Sequence, residues 1–532
     1  MPYLPTDRVR RRDKGATLAA DVPLVLVSKA EGTQRIVAAD HLARRSGLEV
    51  GMALAQARAM VPDVAVLPHD AGADAHLLEA IADWADRYTP LVGRDPPMGL
   101  VLDITGAAHL MGGEIGLRDD LLRRLRRQGL HAAVAIAPTV GAAWALARCR
   151  GQSRAAACIL PEDCDRAGLD TALSSLPVNA LRIAPETTAA LRRMGLKRIG
   201  DLIGRPRQAL AARFGAQLIV RLDQARGVDT EAISPRRPVP PATVEQAFAE
   251  PILTTVAVEH CCRYLAEKLE AVLEDRGQGA TALELAVYRV DGLVKRISLR
   301  LASPTRTAKT LADLTALRLD HLDDPLDPGF GYDLVRFAAT SVAGKAEEAC
   351  TITGLDAQGS PIQLAQACAA LIDRLAARFG EERIRSLAGV DTHIPESASR
   401  LVPATIAAQK KRVAATGHSS QRRPLRLLDP PEPVDVMAEV PDGPPLQMRW
   451  RRRPLRIVRA DGPERIAPEW WRPNDLNKLR LDAGRMHETT RDYWHIEDAT
   501  GRRLWLYREG FYESSSITDG GKPRWFVHGL FA

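Results

Sequence analysis

Within the first 160 residues, short apolar runs alternate with amphipathic stretches, and this alternation limits the possible folds more than any other feature of the chain. Residues 23–28 (PLVLVS) and 35–38 read as strands, and residues 40–46 and 54–60 as helices, with Gly47 and Gly51 between them as punctuation. A long helix is predicted over residues 75–88, apolar at Leu77, Leu78, Ile81, Ala82 and Trp84, with Asp74 placed to cap it. Residues 99–105 (GLVLDIT) read as a buried strand, 116–128 as a basic amphipathic helix, 132–137 as another strand and 141–148 as a helix. Strands and helices mixed in this order predict an α+β domain, with helices packed on a mixed sheet.

At 532 residues the chain is too long for one core, and the pattern changes along it. Residues 1–166 hold the α+β unit and residues 167–232 a compact helical one. In the latter, residues 191–202 (LRRMGLKRIGDL) have the style of a helix-hairpin-helix, whose turn amides and basic Lys197 and Arg198 suit a phosphate. Residues 233–243 contain the semi-rigid PRRPVPP linker, and residues 244–345 form a second α+β unit. In its second hairpin strand Ile297, Leu299 and Leu301 face one way while Arg296, Ser298 and Arg300 face the other, an arginine row that suits a DNA backbone. Residues 346–424 read as a linker with a helix at 364–379 and a basic tether at 409–423. Residues 425–532 hold six of the eight tryptophans in short alternating stretches, which predicts a small β-rich domain with the aromatics in its core.

Composition narrows the class. Hydrophobic residues at 45% and charged residues at 26% describe a globular chain, and no apolar run approaches the roughly 20 residues of a membrane span. Arg8, Arg10, Arg11 and Arg12 are not followed by the apolar stretch of a secretory signal. The seven cysteines form no CxxC pair, so neither a disulfide framework nor a zinc site is indicated, and a cytoplasmic location is expected. A net charge of +7 leans only modestly towards a polyanionic partner.

Local motifs sharpen this. Residues 37–51 (VAADHLARRSGLEVG) resemble the fingers motif of Y-family translesion DNA polymerases, residues 102–105 (LDIT) the end of their palm strand, and residues 135–148 (AIAPTVGAAWALAR) the Ile-Ala-Pro-Asn-Lys motif and its helix. Residues 191–202 and 225–229 resemble the thumb. The resemblance implies palm and fingers, a helical thumb with helix-hairpin-helix, an α+β little finger, and then the β-rich C-terminal domain. Within that family the chain is most similar to the ImuB subfamily, in the stretches LPTDR (4–8), DWADRYTPL (83–91), DITGAAHLMGG (103–113), RPLRLLDPPEP (423–433), GPERIAPEWW (462–471) and HGLFA (528–532).

The same resemblance exposes losses. Nucleotidyl transfer on this scaffold needs two Mg²⁺ ions about 4 Å apart, held by hard carboxylate oxygens. Counted back from Asp103, the family's Asp-Glu pair falls on Met98 and Gly99, which cannot hold Mg²⁺. The fingers tyrosine falls on His41 although Arg44 is kept, and the palm lysines fall on Val140 and Trp144, removing contacts to a triphosphate. Asp103 is read as structural, and the Gly-Ile-Gly turn of the thumb becomes Arg182, Ile183 and Ala184. Only three residues precede LPTDR, so the family's first palm strand is missing and a start upstream is expected.

Membership of such a subfamily implies a non-catalytic adaptor in damage-induced translesion synthesis. It would need no cofactor or metal, and would bind damaged primer-template DNA through Lys197, Arg198, Arg296 and Arg300. It would join the β sliding clamp, the RecA-like ImuA and the error-prone C-family polymerase ImuC. The candidate clamp contact is Leu425, Leu427 and Leu428. The alternative is an active low-fidelity polymerase using Mg²⁺.

Overall fold

A computed structural model describes residues 1–13, 18–30, 32–150, 158–345, 361–409, 423–439, 443–467, 469, 471, 490–509 and 523–531. It divides into two compact units, Met1–Gly354 and Leu355–Ala532. None of its described helices is long and apolar enough to cross a membrane.

In the first unit, Leu24–Ala30 pairs antiparallel with Thr33–Ala39 and parallel with Ala65–Pro68. The apolar side of this sheet and the helices His41–Arg45 and Leu54–Met60 close around Val25, Ile36, Ala43, Leu48 and Ala57. A second core lies beneath the helices Leu4–Asp13, Ala71–Ala85 and Gly113–Arg127, joined by the hairpin Val92–Asp95/Gly99–Leu102. The long helix starts earlier than its periodicity suggested. Asp70, not Asp74, is its cap, accepting from the Ala73 amide at 2.9 Å, and Asp74 instead binds Arg8 at 2.5 Å and His69 at 2.9 Å.

LPTDR is a structural hub. Leu4 and Thr6 are fully buried. Asp7 accepts from the backbone amide of His131 at 2.8 Å and from its ring at 2.9 Å, tying the first helix to the strand region after residue 130. Gly99–Leu102 and Ala135–Ile136 belong to separate two-stranded sheets, and residues 98–106 and 132–140 face each other as walls of one cleft.

The helical segment packs Leu169, Leu173, Leu191, Ile199, Leu202 and Leu222 against Ala142, Ala145 and Leu146 of the helix Val140–Arg150. The second α+β portion is a four-stranded antiparallel sheet in the order Val294–Thr305, Gln278–Arg289, Tyr332–Gly344, Ala242–Ile252. Its helices are Thr255–Asp275 and Ala308–Asp320.

The second unit opens with the helix Pro361–Phe379, the hairpin Arg385–Gly389/Ser399–Pro403 and the helix Ala404–Gln409. Residues 361–409, read above as linker, are therefore folded; residues 410–422 of the predicted tether lie outside the described residues. Six strands from Arg426–Ala438 to Arg524–Leu530 then close into a barrel. Successive strand residues alternate between two clusters, one holding Trp450, Trp494, Leu506, Trp525 and Val527 and the other Tyr493, Trp505 and Tyr507. Core packing thus accounts for these four tryptophans, while Trp471 is exposed and Trp470 lies outside the described residues.

Candidate nucleic-acid cleft

The cleft between the two half-sheets measures about 1380 Å³. Asp95 pairs with Gly99 across the hairpin turn, so Asp103 sits four residues further along the strand, about 13 Å away at ~3.4 Å per residue. That is well beyond the reach of two carboxylates sharing a metal pair. Asp103 works locally, its amide donating to the Leu91 carbonyl and its carboxylate accepting from the Thr105 amide, both at 3.0 Å. Met98 packs half-buried on the second core. Gly99 leaves no room for a side chain, because a Cβ there would lie 2.5 Å from the Asp95 carboxylate and 2.8 Å from the Asp95 carbonyl.

Asp95 is engaged by protein groups. The indole N–H of Trp144 donates to it at 2.7 Å and Arg148 at 3.2 Å. The Trp144 ring lies between two guanidiniums, Arg148 at 4.2 Å and Arg182 at 5.9 Å. Arg182 and Arg221 both bind Glu231; burial pushes that carboxyl up, but the two arginines hold it below the usual range. Arg182 adopts φ of +57° where the family's turn has glycine, so the left-handed turn survives the loss of glycine.

Six carboxylates (Asp95, Asp103, Glu114, Glu162, Asp229, Glu231) and two guanidiniums (Arg44, Arg148) line the cleft. Such a lining repels a triphosphate unless metals neutralise it. Among the described residues no three His, Cys, Asp or Glu side chains converge to hold one, so the residues present do not fit a Mg²⁺ pair. Arg44 reaches the cleft but stacks on Tyr3 at 5.1 Å, and His41 packs edge-on to Tyr3 and beside the His131 ring.

The DNA candidates divide. Lys197 and Arg198 are exposed. Their amides, however, both donate to Asp201 at 2.9 Å, so any phosphate contact falls to the side chains. Arg296 is a correction. It is not a free phosphate contact, because its guanidinium, about 15% exposed, binds Asp86 and Glu284 at 2.6 Å each. Arg300 stays exposed on the same face.

Alternation along the strand revealed a polar face, but not what packs on it. That partner is the end of the helix Ala71–Ala85 and the residues after it. Asp83 binds Arg236 at 2.9 Å and Arg237 at 3.0 Å. Arg87 binds Asp333 at 3.0 Å, and the Asp86 carbonyl accepts from Arg336 at 3.0 Å. Burial pushes the Asp86 carboxyl up, with Arg296 and Arg236 pulling it down. Sequence reasoning quoted this stretch (DWADRYTPL) but missed its role as a docking platform; acids and bases side by side at the end of an apolar helix were the available signal.

The clamp candidate is corrected in part. Leu427 and Leu428 lie in a barrel strand and pack on its two opposite clusters, whereas Leu425 just before it is exposed. They are core residues by strand alternation, not a free peptide.

Comparison with known proteins gives consistent matches. Residues 8–148 match the impB/mucB/samB family and residues 242–351 that family's C-terminal domain. The chain is 40% identical over 490 residues to Protein ImuB of Caulobacter vibrioides (strain NA1000 / CB15N), covering 91% of this chain and 100% of that one. It is 26% identical over 257 residues to DNA polymerase IV of Ralstonia nicotianae, covering 47% of this chain and 70% of that one. Among solved structures, DinB from Sulfolobus solfataricus aligns over 64% of this chain and 96% of its own, at 13% identity and a TM-score of 0.37.

Proposed function

The chain belongs to the ImuB family, and from that premise we propose that it is a polymerase-like adaptor in damage-induced translesion synthesis that binds DNA without polymerising it. The observation that carries this reading is the cleft floor. Where active relatives place an Asp-Glu pair, this chain has Met98 and a Gly99 with no space for a side chain, and its one hairpin carboxylate is bound by Trp144 and Arg148. With no converging carboxylates among the described residues, the cleft lacks the ligands to bind two metals and so to stabilise a developing phosphoryl charge.

What remains is the scaffold. Its helix-hairpin-helix side chains Lys197 and Arg198 would hold the backbone of primer-template DNA independently of sequence. The β sliding clamp, ImuA and ImuC are its proposed partners in the cytoplasm, with Leu425 and the neighbouring tether as the clamp contact.

Primer extension with the purified chain, in Mg²⁺ or Mn²⁺, tests the central claim. The expected outcome is DNA binding without nucleotide addition, and robust incorporation would overturn it in favour of an active low-fidelity polymerase. Co-purification with clamp, ImuA or ImuC tests the adaptor role separately.

A further inference from the structure

The tip-proximal part of the barrel hairpin Pro445–Trp450/Arg453–Ile466 carries charge of one sign. Residues 445–460 contain six arginines and no acid. Trp450 pairs with Arg453, leaving a two-residue turn in which Arg451 (φ +49°) and Arg452 (φ +65°) both adopt left-handed backbone. A turn of this kind normally takes Asn-Gly or Gly-Gly, because side chains there are strained. Here two arginines stand where such a turn usually carries glycine.

Glu432 explains one of them. It accepts from Arg451 at 2.9 and 2.5 Å and from the Trp450 indole at 2.7 Å, while the Arg451 guanidinium covers the Trp450 ring at 4.6 Å. The others are not explained this way. Arg449, Arg452, Arg453 and Arg456 are exposed, and among the described residues none forms an ion pair, although Asp435 is the cross-strand neighbour of Arg449. Arg449 pairs with Pro454 and Gln447 with Arg456, which sets Arg449 and Arg456 diagonally on one face, about 7 Å apart, with Arg452 and Arg453 at the tip. Trp450 is covered, so base stacking is not part of the design.

We propose that this hairpin is a nucleic-acid site separate from the cleft, gripping the phosphate backbone of DNA through Arg449, Arg452, Arg453 and Arg456. It binds without sequence preference and with strong dependence on salt. It does not rest on the thumb: substituting Lys197 and Arg198 leaves it intact.

The test uses the full chain and fluorescence anisotropy with labelled single-stranded and duplex DNA at several salt concentrations. Replacing all four arginines with glutamine is expected to flatten the slope of log affinity against log salt by about 2.8 for single strands or about 3.6 for duplex, at ~0.7 and ~0.9 per lost contact. The arm with the larger loss of affinity at a fixed salt concentration identifies the preferred form. Near-UV circular dichroism from the buried tryptophans reports whether the barrel has folded. Arg452→Gly is a second variant that suits the local backbone; it keeps the fold and is expected to reduce the slope by about 0.7–0.9. Unchanged slope and affinity in folded variants, or binding lost only on substituting Lys197 and Arg198, would overturn the proposal.

Discussion

Asp333→Ala tests how the little-finger sheet is held on the platform helix. The Asp333 side chain is about 8% exposed and its partner Arg87 about 5%. Arg124 also binds Asp333 but is about 31% exposed and retains Asp120. Removing the carboxylate therefore leaves one guanidinium, Arg87, buried without an anion; breaking a buried pair from one side costs about 3–5 kcal/mol. Water reaches Arg124, so the lower end, about 3 kcal/mol, is expected. At about 1.4 kcal/mol per factor of ten, that is roughly a hundredfold increase in local opening. Hydrogen exchange read by mass spectrometry over residues 83–88 and 332–337 measures it directly. Arg87→Met with Asp333→Leu is expected to recover most of the loss, since an apolar pair replaces the buried charges. Exchange in Asp333→Ala within threefold of the parent, or no recovery in the double variant, would refute the reasoning.

Three other outcomes follow from the same physics. Gly99→Ala is expected to cost about 1–3 kcal/mol in urea unfolding, because its Cβ would meet the Asp95 carbonyl at 2.8 Å. Arg452→Gly is expected to stabilise the barrel by about 0.5–1 kcal/mol and raise its melting temperature, by relieving the left-handed strain at φ +65°. In the barrel, burial pushes the Asp492 carboxyl up, but Arg465 and Arg508 hold it below the usual range. With a folded pKa below the unfolded value near 3.9, its stabilisation is present above that pH and lost as pH falls through the folded pKa. Asp492→Asn should therefore be less stable at pH 7, because it removes the carboxylate that both Arg465 and the buried Arg508 (about 1% exposed) bind. Its stability should also depend less on pH below 4, as followed by tryptophan fluorescence.

Much of the fold was legible because it rests on periodicity. The strand leading into LDIT, the sheet with its arginine row and the β-rich end all follow from where apolar residues recur. What pattern could not supply was the partner of each polar face. Arg296 and Lys197 look equally free in sequence, yet one is buried against Asp86 and the other is exposed. Leu427 and Leu428 looked like a peptide motif because the strand facing them, Arg524–Leu530, lies about a hundred residues further along the chain. The cap at Asp70 was missed because Asp74, one turn later, fits the same local rule and is claimed by Arg8 and His69 instead.

The bond between Trp144 and Asp95 bears on how this lineage can change. Lysine at 144 would remove the indole that holds Asp95, and a carboxylate at 99 would drive a side chain into Asp95 itself. Neither step alone yields a metal site, and each disturbs the packing of the floor. The floor is therefore interlocked: a single substitution at either position gives up existing packing before any new ligand set is in place, so this part of the chain is constrained while its exposed surfaces are free to vary.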